Sequence, residues 1–486
     1  MGKTKMNTLK RKFRKLKNNP KLFFKDWYIK NKQIAEKYLP TIKYAQCNNS
    51  YTIVSAVYNV EKYLDDYFKS IVNQSVDFEK YIRIICIDDG STDNSAAVIK
   101  KWQSKYPNNI TYIYKENGGQ ASARNLGLEY VKTEWVTFPD PDDFISKNYF
   151  EKIDEQIEKD KDVVLVAANL LFYYEKDKHI KDTHPLKFKF NKTHTIKLAD
   201  NVEEIQLATN SSFLKTNLIL ENGISFDKRV IPNFEDAKFI TEYLMKNIQN
   251  KKISFVKDSV YFYRKRKDNS STLDISWQRK EKFYDVILYG YLSLLEQVKK
   301  DYGKTPTYVQ NIVLYDLVWY IKYLLNNSKK IDWLTLNEKN EFWKLFICCF
   351  KYLDKKTIMN FTLADCCFKY KVGMLGVFKG IETPFQIVYV EHVDYDKKQI
   401  LLFYYYYIEH HDIIMLDDKI IVPIYKKTIY NELLSHFFCY ERRYCVSFQD
   451  ENQVLRVCIG NKKVKILLKD NIKGIVSYEN CCIMRG

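Results

Sequence analysis

From Tyr51 to about Val166 apolar residues fall in short near-continuous runs separated by stretches of helical periodicity. Thr52–Val57, Ile82–Ile87, Thr111–Tyr114, Trp135–Phe138 and Val163–Ala167 read as strands. Ile82–Ile87 is almost wholly apolar, as a parallel strand covered on both faces must be. Between them, Val60, Tyr63, Leu64, Tyr67, Phe68, Ile71 and Val72 share one helical face, with Asn59 placed to cap that helix. Ser95–Tyr106, Gln120–Val131 and Lys147–Glu158 read as further helices. The pattern predicts an α/β unit with a doubly wound parallel sheet.

The patterning changes twice more. Residues 168–275 predict short strands and loops around Ile231-Pro232-Asn233-Phe234-Glu235-Asp236. Residues 276–378 turn helical and aromatic, with Ile312, Tyr315, Leu317, Tyr320, Tyr323 and Leu324 at helical spacing. From 379 to 486 short β-runs (Ile387–Val393, Gln399–Tyr407, Ile413–Leu416, Lys419–Ile424, Tyr444–Phe448, Val454–Ile459, Val464–Leu468) are broken by Asp, Asn, Lys and Gly, which suits a β-sandwich. The expected organisation is therefore a segment 1–50, an α/β domain 51–275, a helical domain 276–378 and a β-rich domain 379–486.

Charge alters the reading of the first segment. Residues 1–50 hold 14 Lys and Arg against 2 Asp and Glu, about two thirds of the chain's net +18. Leu9, Phe13, Leu16, Leu22, Phe23, Phe24, Trp27 and Tyr28 lie among those cations at helical spacing. That predicts an interfacial helix for an anionic membrane surface over residues 1–45. No recognition fold for nucleic acid follows, so none is expected as a partner. No apolar run reaches the ~18 residues of a span, and no signal peptide is read. A cytoplasmic protein, peripheral on the inner face of the plasma membrane, is the expectation. The 11 cysteines include no C-x-x-C, consistent with reduced thiols.

Two acidic knots follow strands. Ile87-Asp88-Asp89-Gly90-Ser91-Thr92-Asp93 ends one, and Phe138-Pro139-Asp140-Pro141-Asp142-Asp143 ends another. Carboxylates at the carboxyl ends of parallel strands sit where open α/β sheets bind ligands. Tyr58, ending the first strand, can offer a ring face to a base. In Asn117-Gly118-Gly119-Gln120-Ala121-Ser122-Ala123-Arg124, Gly118 and Gly119 allow close backbone approach, and Arg124 is expected to face the base or phosphates.

Taken in order with Ser55-Ala56-Val57-Tyr58-Asn59, these motifs resemble glycosyltransferase family 2, across roughly residues 51–275. The resemblance implies a GT-A fold, inversion and a UDP-sugar donor. It implies that Asp88 or Asp89 accepts from a base N–H. It gives Asp140-Pro141-Asp142 as a D-x-D motif for Mn²⁺ or Mg²⁺, with Asp142 the direct ligand and Asp140 on ribose or a metal-bound water. Asp143 is expected to cap a helix. Glu235-Asp236 resembles the family's acidic pair, making Asp236 the base toward the acceptor hydroxyl and Glu235 its neighbour or substitute. Arg264 and Arg266, in the basic stretch 263–272, would clamp the diphosphate.

By the same resemblance the chain looks like enzymes of bacterial capsule, lipooligosaccharide or teichoic-acid synthesis. A hexosyl or N-acetylhexosaminyl group would pass to a glycan or lipid-linked acceptor, and the β-rich domain could support an oligomer. The Q-x-x-R-W motif of processive membrane synthases is missing. Two alternatives stay open: an inactive glycan-binding scaffold, and a nucleotidyltransferase.

Overall fold

A computed structural model describes residues 44–246, 252–268, 275–450 and 453–468. The proposed interfacial segment 1–45 lies almost wholly outside the described residues.

Four strands, β1 (Tyr51–Val57), β2 (Ile82–Asp89), β3 (Ile110–Lys115) and β4 (Trp135–Thr137), pair in parallel in the order β3-β2-β1-β4. Alternate residues face opposite sides of a strand. Val54, Ile85 and Ile87 therefore enter one core, and Ile53, Val57, Ile84 and Cys86 the other. Helices Glu61–Val72, Ser95–Lys105 and Tyr149–Lys159 bring Tyr67, Phe68, Ile99, Trp102 and Phe150 to the second core. Helix Gln120–Leu128 lies on the opposite face. Gly127 lets it approach: a Cβ there would stand 2.3 Å from Val54 Cγ1.

Past β4 the sheet departs from the all-parallel expectation. β5 (Phe144–Ile145), β6 (Val163–Tyr174), β7 (His179–Lys181), β8 (His194–Lys197), β9 (Ser212–Lys215) and β10 (Lys252–Lys265) extend it as β4-β9-β6-β10-β5, with β7 on β6 and β8 on β10. The short β9 is antiparallel to both β4 and β6. The two long strands β6 and β10 run parallel over most of their length. Where short loose strands were expected, β10 spans 14 residues. Its half-exposed mixture of Lys, Tyr and Arg hides the apolar alternation. Asn59 is a second correction. Its φ is 51°, and its Oδ1 accepts from Thr92 N (2.8 Å) rather than from the helix. The helix N-terminus is served from across the loop, Asp93 Oδ2 accepting from Glu61 N.

The helical region does not stand apart. Helix Thr307–Leu324 is buried on nearly all sides. One core runs from Val54 through Phe239 and Tyr291 to Phe438. Among the described residues no helix is long and apolar enough to cross a membrane.

Beyond it, β11 (Phe385–Asp394), β12 (Gln399–Tyr406), β13 (Asp412–Leu416), β14 (Lys419–Ile420), β15 (Tyr425–Leu433), β16 (His436–Ser447), β17 (Leu455–Ile459) and β18 (Lys463–Leu468) form a sheet β15-β16-β12-β11-β18 and a sheet β14-β13-β17. Val388, Leu402, Tyr404 and Val446 of the first pack on Ile414, Leu416, Val457 and Ile459 of the second, making the expected sandwich. Helix Phe368–Lys379 seats it, with Gly373 and Gly376 directly under the rings of Phe438 and Tyr407. β15, an exposed edge strand carrying Lys426, Lys427 and Thr428, was not expected.

Candidate active site

The carboxyl ends of β1, β2 and β4 gather the sequence-selected residues, joined there by the helix Glu235–Lys246. Arg124 is their hub. It is one turn before Gly127 on the helix face that meets the sheet, which buries it to 1% exposure. Its Nη1 donates to Asp236 Oδ1 at 2.5 Å and its Nη2 to Asp140 Oδ1 at 2.8 Å, with Glu235 Oε1 at 3.6 Å. The guanidinium lies over the Phe226 ring, 5.3 Å from its centroid. Burial works against its charge, but Asp236, Asp140 and Glu235 outweigh burial and raise its pKa. It thus faces carboxylates where a base or phosphate partner was expected, because helix packing turns it inward.

The acidic pair opens its helix. Glu235 Oε1 accepts from Gln120 Nε2 (2.8 Å), and Asp236 Oδ2 from Thr209 N (3.3 Å). Burial pushes the Glu235 carboxyl up to about 8, aided by Asp236 and opposed by Arg124. Burial also raises Asp236, with Arg124 opposing and Asp140 assisting. The preceding Phe234 has φ 83°, unusual for a bulky residue, and packs edge-on to Tyr291 at 4.6 Å. Lys282 Nζ holds Asn233 Oδ1 at 2.9 Å, and a Cβ on Gly290 would stand 3.0 Å from Phe234 Cδ1. The helical region therefore grips the loop that delivers Asp236.

The three aspartates after β4 have different surroundings. Asp140 has both oxygens engaged, by Arg124 and by Asn210 Nδ2 (3.1 Å). Asp143 is buried and accepts from Tyr261 OH (2.6 Å) and Arg264 N (2.7 Å). It ties β10 to the motif and caps no helix, correcting that expectation. Burial, then Asp142 and Asp140, push its carboxyl well above the usual range. Asp142 Oδ2 accepts from Arg266 Nε (3.0 Å) and Nη2 (2.7 Å). Burial raises its carboxyl, Arg266 opposes and Asp140 assists.

Arg264 donates through Nε to Asp142 O (2.6 Å) and packs over Tyr63, Phe144 and Tyr173; Arg266 also lies over Tyr63. Both arginines thus stand at the D-x-D loop. No cluster of three or more His, Cys, Asp or Glu side chains suited to a metal occurs among the described residues. The donor set fits a hard cation held by one protein carboxylate, Asp142, with substrate phosphates supplying the rest.

Tyr58 is 52% exposed at the end of β1. Asp88 accepts from Ser91 N (2.9 Å) and Tyr112 OH (2.8 Å). Asp89 accepts from Lys115 Nζ (2.5 Å), Gly118 N (2.9 Å) and Gly119 N (2.8 Å). Gly119, at φ 84°, makes that turn possible at the helix start. Asp89 thereby folds the glycine loop back onto β2, while Asp88 ties the turn after β2 to β3. Sequence reasoning missed Tyr261, Gln120, Thr209 and Asn210. Each acts through a contact distant in sequence; Gln120 lies in the quoted motif without a role being read for it, and no local motif marks the other three.

Fold and motif order define a GT-A architecture. Residues 52–216 match the model of glycosyl transferase family 2. The chain is 31% identical over 348 residues to the minor teichoic acid biosynthesis protein GgaA of Bacillus subtilis, covering 71% of this chain and 75% of GgaA. It is 32% identical over 313 residues to GgaB of the same organism, covering 64% of this chain and 33% of GgaB. TarS of Staphylococcus aureus, a poly(ribitol-phosphate) beta-N-acetylglucosaminyltransferase, is 25% identical over 258 residues, 52% of this chain and 42% of TarS. The structure of TarS residues 1–349 with UDP-GlcNAc has the same fold, with TM-score 0.52 at 17% identity over 67% of this chain and 86% of that one. The chain belongs to glycosyl transferase family 2.

Proposed function

We propose that the protein transfers a hexosyl or N-acetylhexosaminyl group, with inversion, from a UDP-sugar to a growing glycan or polyol-phosphate polymer of the cell envelope. The observation that carries this reading is the Arg124 hub, which holds Asp140 and Asp236 within one guanidinium's span. The names of GgaA, GgaB and TarS support a teichoic-acid-like acceptor over capsule or lipooligosaccharide.

Asp236 removes the acceptor hydroxyl's proton as the sugar carbon is attacked from the face opposite the departing UDP. Its raised basicity serves that step, and Arg124 fixes its orientation. Burial raises the Glu235 carboxyl, which lessens the negative charge it sets beside the base. Asp142 would hold Mn²⁺ or Mg²⁺, which neutralises diphosphate charge when bound. Arg266, paired with the Asp142 carboxylate, is the cation that would turn toward that diphosphate, and Arg264, buried under the Tyr63, Phe144 and Tyr173 rings, would hold the loop. Tyr58 offers its ring to the uracil. Asp88 and Asp89 shape the loop beside it.

Residues 1–45 would place the enzyme on the anionic inner face of the membrane, and the C-terminal sandwich could join copies. The test is UDP release over a panel of sugar nucleotides, with and without EDTA, products weighed by mass spectrometry. One donor consumed with sugar added to a teichoic-acid acceptor supports the reading. Nucleotide binding without release would indicate a scaffold, and pyrophosphate release a nucleotidyltransferase.

A further inference from the structure

The last part of the segment between β8 and β9, residues 205–211, is largely buried and is pinned by polar contacts. Lys189 Nζ donates to Ile205 O and Gln206 Oε1, both at 2.6 Å. Gln206 Nε2 passes the tie on to Ala208 O (3.0 Å) and Ser212 Oγ (2.9 Å). The next two residues reach the active site. Thr209 N donates to Asp236, and Asn210 Nδ2 to Asp140 Oδ2. Asn210 therefore stands beside the aspartate of the donor motif, next in sequence to the residue that touches the base.

Its amide is used only on one side. A carboxylate oxygen needs a donor, so the NH₂ must face Asp140 and the orientation of the amide is set by chemistry. Oδ1 is left buried with no hydrogen-bond partner among the described residues, and Asn210 as a whole is 5% exposed. An unpaired buried carbonyl oxygen destabilises a fold, and its place beside two active-site carboxylates is the reason to look for a bound donor. Its neighbours stay reachable, the side chains of Asp140 and Asp236 being 27% and 21% exposed. A phosphate at neutral pH offers no proton to a carbonyl oxygen. A sugar hydroxyl does, and so does an N-acetyl N–H.

We propose that Asn210 is a specificity-determining residue, whose Oδ1 accepts a hydrogen bond from a hydroxyl or amide N–H of the transferred sugar. This rests on the donor-site reading above and adds to it the atom that inspects the sugar. A site built to hydrogen-bond one substrate group rejects analogues that leave its buried atom unpaired.

The test is calorimetric binding of UDP, UDP-glucose, UDP-galactose, UDP-GlcNAc and UDP-GalNAc, in magnesium buffer, to full-length wild type, Asn210→Ala and Asn210→Ser. Thermal melts check folding. UDP affinity should stay within twofold in both variants. Affinity for the preferred UDP-sugar should fall about tenfold or more, and the gap between it and the other sugars should narrow. Equal losses for UDP and UDP-sugar would show that Asn210 acts only through Asp140, and would overturn the inference while leaving the donor site standing. So would unchanged sugar discrimination. Wild-type protein that binds neither UDP nor any UDP-sugar would overturn the donor site itself, and this inference with it.

Discussion

Three carboxylates converge on Arg124, so the consequences of altering it are large. Arg124→Ala leaves buried like charges facing one another, and breaking a buried pair costs about 3–5 kcal/mol. Arg124→Lys keeps the charge but loses the fork that reaches Asp140 and Asp236 together. We expect Arg124→Lys to fold with a lowered melting temperature and to lose at least about 100-fold in kcat, read by calorimetry and UDP release. Near wild-type turnover would remove the hub from the mechanism. Glu235 provides a pH signature. Its carboxyl rises from an ordinary 4.5 to about 8 in the fold. Between those values the folded state holds a proton that the unfolded state has lost, so stability falls as pH rises. Glu235→Gln has no such proton. Its melting temperature relative to wild type should increase from pH 5 to pH 8, and a gap independent of pH would mean that Glu235 is ionised throughout.

Elements position these residues through close packing. Gly290 lies in the π-helical turn Val286–Leu292 against Phe234, and through it against the base loop. Gly290→Val should displace that loop and lower kcat at least tenfold, while UDP affinity stays within a few-fold. Parallel loss of UDP binding would point to general unfolding instead. The same elements explain what the sequence reveals. β1 to β4 are legible because strands covered on both faces must be apolar throughout. β10 and β15 are not, because charged residues alternate along half-exposed surfaces. The acidic motifs are legible as chemistry. Their partners are not: that Arg124 turns inward depends on Gly127 meeting Val54, a contact between segments more than seventy residues apart. Asn210 carries no signal in its neighbourhood, since Thr-Asn-Ser-Ser before a short strand also reads as an ordinary turn.

At the scale of the molecule, the sheet, the helical region and the base of the sandwich share one core, so the catalytic domain should not survive excision at residue 275. The N-terminal arm is a separate proposal. Each basic residue near an anionic surface contributes up to about 1 kcal/mol, screened over ~10 Å at 0.1 M salt. Protein 46–486 should lose co-sedimentation with anionic vesicles and retain transfer to a soluble acceptor. Equal sedimentation of the two proteins would refute the anchor. The central claim is that Asp236 is the base of a sugar transfer whose donor site is built separately around Asp140 and Asp142. Its most direct measurement pairs UDP-sugar affinity with turnover in Asp236→Asn. Donor affinity is expected within a few-fold of wild type and kcat lowered at least 100-fold, about 2.7 kcal/mol of barrier. Donor binding intact with turnover also intact would contradict it.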